Sequence, residues 1–355
     1  MHKKKKRCGL YFIVLTFLSL MVFAGAGCTK KADQAKQDTP MRIGWQVAWA
    51  TQGQLAQVLQ HTNALQLNGL KGDFKSFTYG APLSEAALAG QLDVAFIGDQ
   101  PTVNLVSKSS DWKIIARLMD FRVAIVVPPT SSIKTIADLK GKTLGIPFGA
   151  STHRVALQML TEAGLDPAKD LKIFNIDITE QSDVVQAGGG KLWPKVDAFA
   201  SWDHHIALYE SKGLARILKS GTALGVVAMS EKFIKNNPDA TVGFLSAFKL
   251  AYYYYATHQD QADKWFAEAA QGKFDLGLLR QVASIEPNMK ASNLQGIHIE
   301  LSKNQLNVLQ MAADFAYKQK LIQEPVNISN SIDTICVELA EKLLSANTTI
   351  VSSLK

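Results

Sequence analysis

The chain has 355 residues, 47% of them hydrophobic and 19% charged, which is enough apolar material for a large core divided between two lobes. Its formal net charge of +7 is concentrated at the start: Lys3, Lys4, Lys5, Lys6 and Arg7 supply five positive charges, so without them the balance is 7 − 5 = +2. That excludes the basic footprint of a nucleic-acid or polyanion binder.

The basic run is followed by an apolar stretch from Leu10 to Ala24 and then by Gly25-Ala26-Gly27-Cys28. A positive n-region, a short apolar h-region and small residues before a cleavage point predict an export signal over residues 1–27. The stretch is shorter than the ~20 residues that a membrane-spanning helix needs. Cys28 after the small residues resembles the lipobox of bacterial lipoproteins, although Gly25 stands where that pattern has leucine. The resemblance implies lipidation at Cys28 and a protein held extracytoplasmically at a membrane by its lipid. Cys8 leaves with the signal, so Cys336 alone remains free and no intramolecular disulfide is expected. Residues 28–40 are polar and aperiodic, which predicts a flexible tether.

The folded body is expected from Met41, with a strand over Met41–Trp45 and a loop carrying Trp45 and Trp49. Leu55, Val58, Leu59, Thr62 and Leu65 have helical spacing, predicting a helix over 55–67. Residues 74–79 alternate as a strand and end at Gly80-Ala81-Pro82. A short helix over 84–90 precedes the wholly apolar strand Val94–Ile97, which breaks at Gly98-Asp99-Gln100-Pro101. Two further strands are predicted over 114–119 and 124–127. A second unit opens at Pro128-Pro129, with a helical turn over 136–142 and a strand over 143–146. It continues through Ser151-Thr152-His153, which opens a helix over 154–163, and a helix over 183–187. The strand Val196–Ala200 ends at Ser201-Trp202-Asp203, and the unit closes around 216–221. From Glu231 onward nearly all of the pattern is helical. Strands alternating with helices argue for an α/β fold around a largely parallel sheet.

Several of these strands end at turns suited to a ligand. Ligands in open α/β sheets bind beyond the carboxyl ends of the strands. Glycines such as Gly80 let backbone approach closely. Gln46 follows the first strand, Asp99 can cap a helix, and Ser151 and Thr152 offer hydroxyls and free N–H groups at a helix start. Trp45 and Trp202 are candidate ligand walls, and His153 and Asp203 candidate polar contacts. The adjacent His204-His205 make a poor chelating pair, and no metal or cofactor is expected.

Gly98-Asp99-Gln100-Pro101, Asp138-Leu139-Lys140-Gly141-Lys142, Gly149-Ala150-Ser151-Thr152-His153 and Trp202-Asp203, in this order and spacing, resemble the aliphatic-sulfonate, nitrate and taurine class of ABC-transporter substrate-binding proteins. That class also includes carriers of thiamine-pyrimidine precursors. The resemblance runs from Arg42 to about Gly221. It implies a two-lobed periplasmic-binding-protein clamshell of type II with a helical C-terminal part. One lobe would comprise 41–127 plus 220–355 and the other 128–219, with crossings near 126–130 and 220–224. It implies a small-molecule solute held between the lobes, touching Trp45, Gln46, Gly80, Asp99, Ser151, Thr152, His153, Trp202 and Asp203. The implied partners are a permease and its ATPase, and a monomer is the default for such a delivery protein.

Helix starts with serine and threonine favour a small anion such as an alkanesulfonate, taurine or nitrate. Asp99 and Asp203 beside tryptophans would suit a thiamine precursor or another heteroaromatic or cationic solute. A sensor or surface lipoprotein on the same clamshell is a third reading. Yeast-type pyrimidine synthases share the fold but carry a cysteine-rich motif that Cys336 alone does not match. Neither a Gly-x-Ser-x-Gly elbow nor a His-Glu-x-x-His helix occurs, so no enzyme is expected.

Overall fold

The computed structural model describes residues 38–272, 274–347 and 349–355; Cys28, the expected signal and most of the tether lie outside them. The first strand, β1, runs over Thr39–Gln46 and so begins inside the expected tether. It is followed by α1 (Ala50–His61), β2 (Leu70–Phe77), α2 (Gly80–Leu88), β3 (Val94–Gly98), α3 (Asp99–Lys108) and β4 (Trp112–Val127). Next come β5 (Thr143–Ile146), α4 (Ser151–Glu162), β6 (Lys172–Asn175), α5 (Ile178–Gly188), β7 (Ala198–Trp202), α6 (His205–Ser211) and β8 (Arg216–Ser230). Six helices complete the chain: α7 (Glu231–Asn236), α8 (Pro238–Thr257), α9 (Gln259–Ala269), α10 (Leu276–Ala283), α11 (Lys303–Lys318) and α12 (Ile335–Ala346).

The eight strands form one sheet in the order β2-β1-β3-β8-β4-β7-β5-β6. In the first lobe β1 pairs in parallel with β2 and β3; in the second, β5 pairs in parallel with β6 and β7. Between these triplets run the long strands β4 and β8, antiparallel to each other over most of their length. The N-terminal part of β4 and the C-terminal part of β8, which pairs with β3, belong to the first triplet's half. Val123–Val126 of β4 pair with Trp202–Phe199 of β7. Each half therefore repeats the same local order around a pair of shared strands. The sheet is mixed rather than largely parallel, because the two shared strands run antiparallel to β3 and β7.

Two differences from the sequence pattern lie at this centre. The strands expected over 114–119 and 124–127 are one strand, because Asp120 and Arg122 interrupt the apolar run while the backbone stays extended. The stretch expected only to close the second unit is the start of β8, whose Arg216–Thr222 half is polar and partly exposed and whose Ala223–Met229 half is fully apolar and buried.

β3 reads Val-Ala-Phe-Ile-Gly with every residue buried, because helices cover both of its faces. Beneath it, Phe96 packs near Phe244 and Phe248 of α8, at centroid distances of 6.5 and 5.6 Å. α8 buries thirteen of its residues and joins the C-terminal helices to the first lobe. Among the described residues no helix is long and apolar enough to cross a membrane.

Candidate functional site: a cleft ringed by helix N-termini

Several helices start close beyond the carboxyl end of a strand, among them α3 directly after β3, α2 after β2 and α4 after the turn that follows β5. α1 starts just past β1. The residues preceding their first turns are Trp49, Tyr79, Gly98 and Ala150, and none makes a side-chain cap. Asp177, Ser230, Asp275 and Ser302, by contrast, cap α5, α7, α10 and α11 with side-chain oxygens. A helix start without a capping side chain leaves backbone N–H donors free for another acceptor.

Those four uncapped residues all line one cavity at the carboxyl ends of the strands. Trp49, Tyr79, Phe121, Trp202 and Pro101 give it apolar walls, and Gln46, Ser151 and Thr152 give it polar atoms. No lining residue carries a charge, and burial pushes the Tyr79 phenol up, which keeps it neutral. Two buried polar atoms of lining residues, Trp49 Nε1 and Ser151 Oγ, have no protein partner. Unpaired buried donors and hydroxyls are costly to leave unsatisfied, so they favour a ligand that accepts from them.

The aromatic wall follows from a local packing choice. A Cβ at Gly225 of β8 would stand 2.6 Å from the Trp49 ring, so only glycine lets that indole lie on the shared strand. There Trp49 tilts against Phe121, their centroids 4.2 Å apart at 42°. Gln46 is fixed by its Nε2 donating to Phe96 O at 2.8 Å. Its own N–H and C=O are both engaged by the Gln52 amide.

The two lobes meet across the cavity through direct bonds. Trp202 Nε1 donates to Ala48 O at 2.9 Å. Arg154 Nη2, in the second turn of α4, donates to Asp99 Oδ2 at 2.6 Å, with both side chains buried. Gly98 and Ser151 approach closely enough that a Cβ on Gly98 would clash with Ser151 Oγ. These contacts describe a closed cleft.

Of the residues singled out from the sequence, Gln46, Gly80, Ser151, Thr152 and Trp202 line the cavity. Trp45, Asp99, His153 and Asp203 do not. Trp45 is core, packed against α1 at Gly53. Asp99 is the first residue of α3 rather than its cap, its carboxylate taken by Arg154, Gln100 N and Leu224 N. Asp203 is held by Arg122 through two bonds of 2.7 and 2.8 Å and accepts from Ala207 N. His153 Nδ1 accepts from Gly149 N, its ring stacks on Phe148 at 4.7 Å, and burial lowers its pKa to about 4. Trp49, Tyr79 and Phe121 were not singled out as site residues. The available signal was their position: Trp49 and Tyr79 each directly precede a helix beyond a strand's carboxyl end, and Phe121 lies in β4 between Arg117 and Arg122, both salt-bridged.

Residues 56–187 match the family model described as the periplasmic substrate-binding protein of the phosphonate ABC transporter. A Bacillus subtilis protein named for binding aliphatic sulfonates is 24% identical over 92% of this chain and 96% of its own length. The alkanesulfonate-binding protein of Xanthomonas axonopodis pv. citri, solved bound to MOPS, shares the fold with a TM-score of 0.69 at 22% identity, covering 84% of this chain and 99% of that one. The same fold also carries a desulfurization enzyme, with a TM-score of 0.62 at 15% identity, covering 86% of this chain and 99% of the enzyme. In its two-lobed sheet, its cleft at the strands' carboxyl ends and these likenesses, the chain is similar to ABC-transporter substrate-binding proteins named for binding sulfonates and taurine.

Proposed function

We propose that this protein captures a small organic or inorganic monoanion, an alkanesulfonate first and taurine or nitrate next, and delivers it to an importer's permease and ATPase. The observation that carries this reading is the ring of four helix starts, three of them open, around a cavity with no charged lining residue. Helix N-termini attract anions by roughly 0.3–1 kcal/mol each, up to ~2 when partly buried. A sulfonate presents three acceptor oxygens to such donors, while the walls of Trp49, Phe121 and Trp202 accept a short carbon chain. The named ligands of the similar proteins point the same way.

A cationic heteroaromatic is less well served. The carboxylates that would face it, Asp99 and Asp203, are already paired with Arg154 and Arg122. Catalysis has no support from the site either: its lining holds no cysteine, carboxylate or histidine. The protein works extracytoplasmically as a monomer, tethered by lipid at Cys28. Hinge motion is assigned to β4 around 120–122 and to β8 around 221–223, where each strand passes from one triplet to the other.

The test is a thermal-shift and calorimetric screen with ethanesulfonate, taurine, nitrate, methylphosphonate and an aminopyrimidine. A ligand at a hundred times its Kd stabilises the folded state by about 2.7 kcal/mol, a rise of several degrees. Ethanesulfonate should give that rise, and Ser151→Ala should weaken binding about tenfold. A shift with the aminopyrimidine alone would overturn the anion reading.

A further inference from the structure

Directly behind the cavity lies a pair of charges contributed by the starts of two of its helices. Gly98 and Ser151 line the cavity; Asp99 is the next residue after the first, and Arg154 stands three residues beyond the second. Asp99 is fully buried, Arg154 is 6% exposed, and their contact at 2.6 Å joins one lobe to the other. The guanidinium is otherwise poorly provided for: Nη1 donates to Gln158 at 3.2 Å and the buried Nε has no partner. It also sits near a helix N-terminus, where positive charge is disfavoured by the helix dipole. Asp99 is therefore the group that offsets it.

We infer that Asp99 determines the ligand's charge: by neutralising Arg154 across the cleft it sets the site for singly charged anions and against doubly charged ones. This rests on the reading of the cavity as an anion site. The remaining cations near the hinge are held in the same way, Arg122 by Asp203 and Arg117 by Glu286, so none is left over for the ligand. The start of α3 is occupied by the Asp99 carboxylate itself, whose Oδ1 accepts from Gln100 N at 2.6 Å. Three open helix ends remain, each worth about half an elementary charge at most. Together they offset one ligand charge and fall short of two, whereas the cost of dehydrating an ion rises as the square of its charge. A sulfonate or nitrate fits that balance. A phosphonate fits it only in its singly protonated form. The inference thus separates two ligand classes that share a tetrahedral head.

The experiment compares methanesulfonate, which stays a monoanion, with methylphosphonate, which passes from monoanion to dianion as the pH rises from 6 to 9. In the unaltered protein, methylphosphonate affinity should fall at least about tenfold over that range while methanesulfonate changes by less than about twofold. In Asp99→Asn the freed Arg154 adds a full positive charge behind the site. The ratio of dianion to monoanion affinity should then rise at least about tenfold. The double variant Asp99→Asn/Arg154→Gln also lacks the cross-lobe contact but is neutral again, so its ratio should return to that of the unaltered protein. A purely structural role for the pair would move both variants alike and leave the ratio unchanged, which overturns the inference. Equal or tighter binding of the dianion by the unaltered protein overturns it as well, and that measurement needs no variant to fold. If the unaltered protein binds methanesulfonate but the ratio does not respond to Asp99→Asn, the inference fails alone. If it binds neither anion, the functional reading fails and takes the inference with it.

Discussion

Replacing Gly98 by alanine should separate cleft closure from folding. The backbone at Gly98, with φ −77 and ψ 166, is in the extended region that alanine adopts freely, so the substitution carries no conformational strain. Its effect comes only from the added methyl. That carbon would lie within 3.0 Å of Ser151 Oγ, across the cleft, and at ordinary distances of 3.6 Å from Ser151 Cβ and Phe121 Cζ. One atom in the opposite lobe is therefore in the way, and opening the lobes removes the clash. Overpacking of this kind costs about 1–3 kcal/mol. Because the cost falls on the closed form alone, it appears as ligand affinity weaker by about five- to a hundredfold, with the unliganded melting temperature nearly unchanged. Titration calorimetry with ethanesulfonate measures the first, differential scanning calorimetry the second, and solution scattering the ligand-induced compaction. The double variant Gly98→Ala/Ser151→Ala removes the obstructing hydroxyl, so its affinity should match that of Ser151→Ala alone. Gly80→Ala provides the contrast. Its new Cβ would meet Pro101 at 2.5 Å inside the same lobe, so the cost should appear in melting temperature as well. If Gly98→Ala binds as tightly as the unaltered protein, or if Ser151→Ala fails to relieve it, the two residues do not meet across the cleft in the liganded form.

Acid should destabilise the fold through its buried imidazoles. His153 and His205 are lowered to about 4, and His204 well below its ordinary value, all chiefly by burial. Their stabilising neutrality is complete above pH 6.5 and is lost as pH falls from 6.5 toward 4, by up to roughly 3 kcal/mol for each of the first two. A melting temperature that stays flat between pH 7 and 5 would contradict this. Asp263 has the opposite sign. Its carboxyl, with Oδ1 accepting from Gln54 and Oδ2 without a hydrogen bond and 4.0 Å from Arg280 Nε, is pushed up to about 6 by burial, so the folded state is penalised above that pH. Asp263→Asn should therefore stabilise the protein by about 1–3 kcal/mol at pH 8 in denaturant titrations, and by little at pH 4. Glu286→Gln should destabilise by about 1–3 kcal/mol, because it takes from buried Arg117 a carboxylate bonded at 2.6 and 2.8 Å and leaves it only the partly exposed Asp120 at 3.0 Å. Chemical denaturation at neutral pH reads that loss.

The elements that build the site were legible where local chemistry speaks for itself. An all-apolar run ended by Gly98, and a strand ended by glycine, serine and threonine, announce backbone at a ligand's reach whatever lies across from them. That is why Gln46, Gly80, Ser151, Thr152 and Trp202 could be placed near one another from the sequence alone. The misplaced residues are those whose surroundings are set by distant chain. Trp45 and Trp49 look alike in sequence, but period-two alternation in β1 sends Trp45 into the core, while Trp49 precedes α1 and rests on Gly225, which lies far along the chain. Asp99 and Asp203 look available until Arg154 and Arg122 are brought to them over sequence separations of 55 and 81 residues. No local periodicity encodes such a pairing. The same holds for β4 and β8, whose polar middles read as breaks because Asp120, Arg122 and Gly221 stand where each strand passes from one triplet to the other. Residues that carry an ion-paired boundary cannot also keep the uninterrupted apolar pattern of a strand in a core. The sequence is therefore least readable at the shared strands, where the proposed hinge lies.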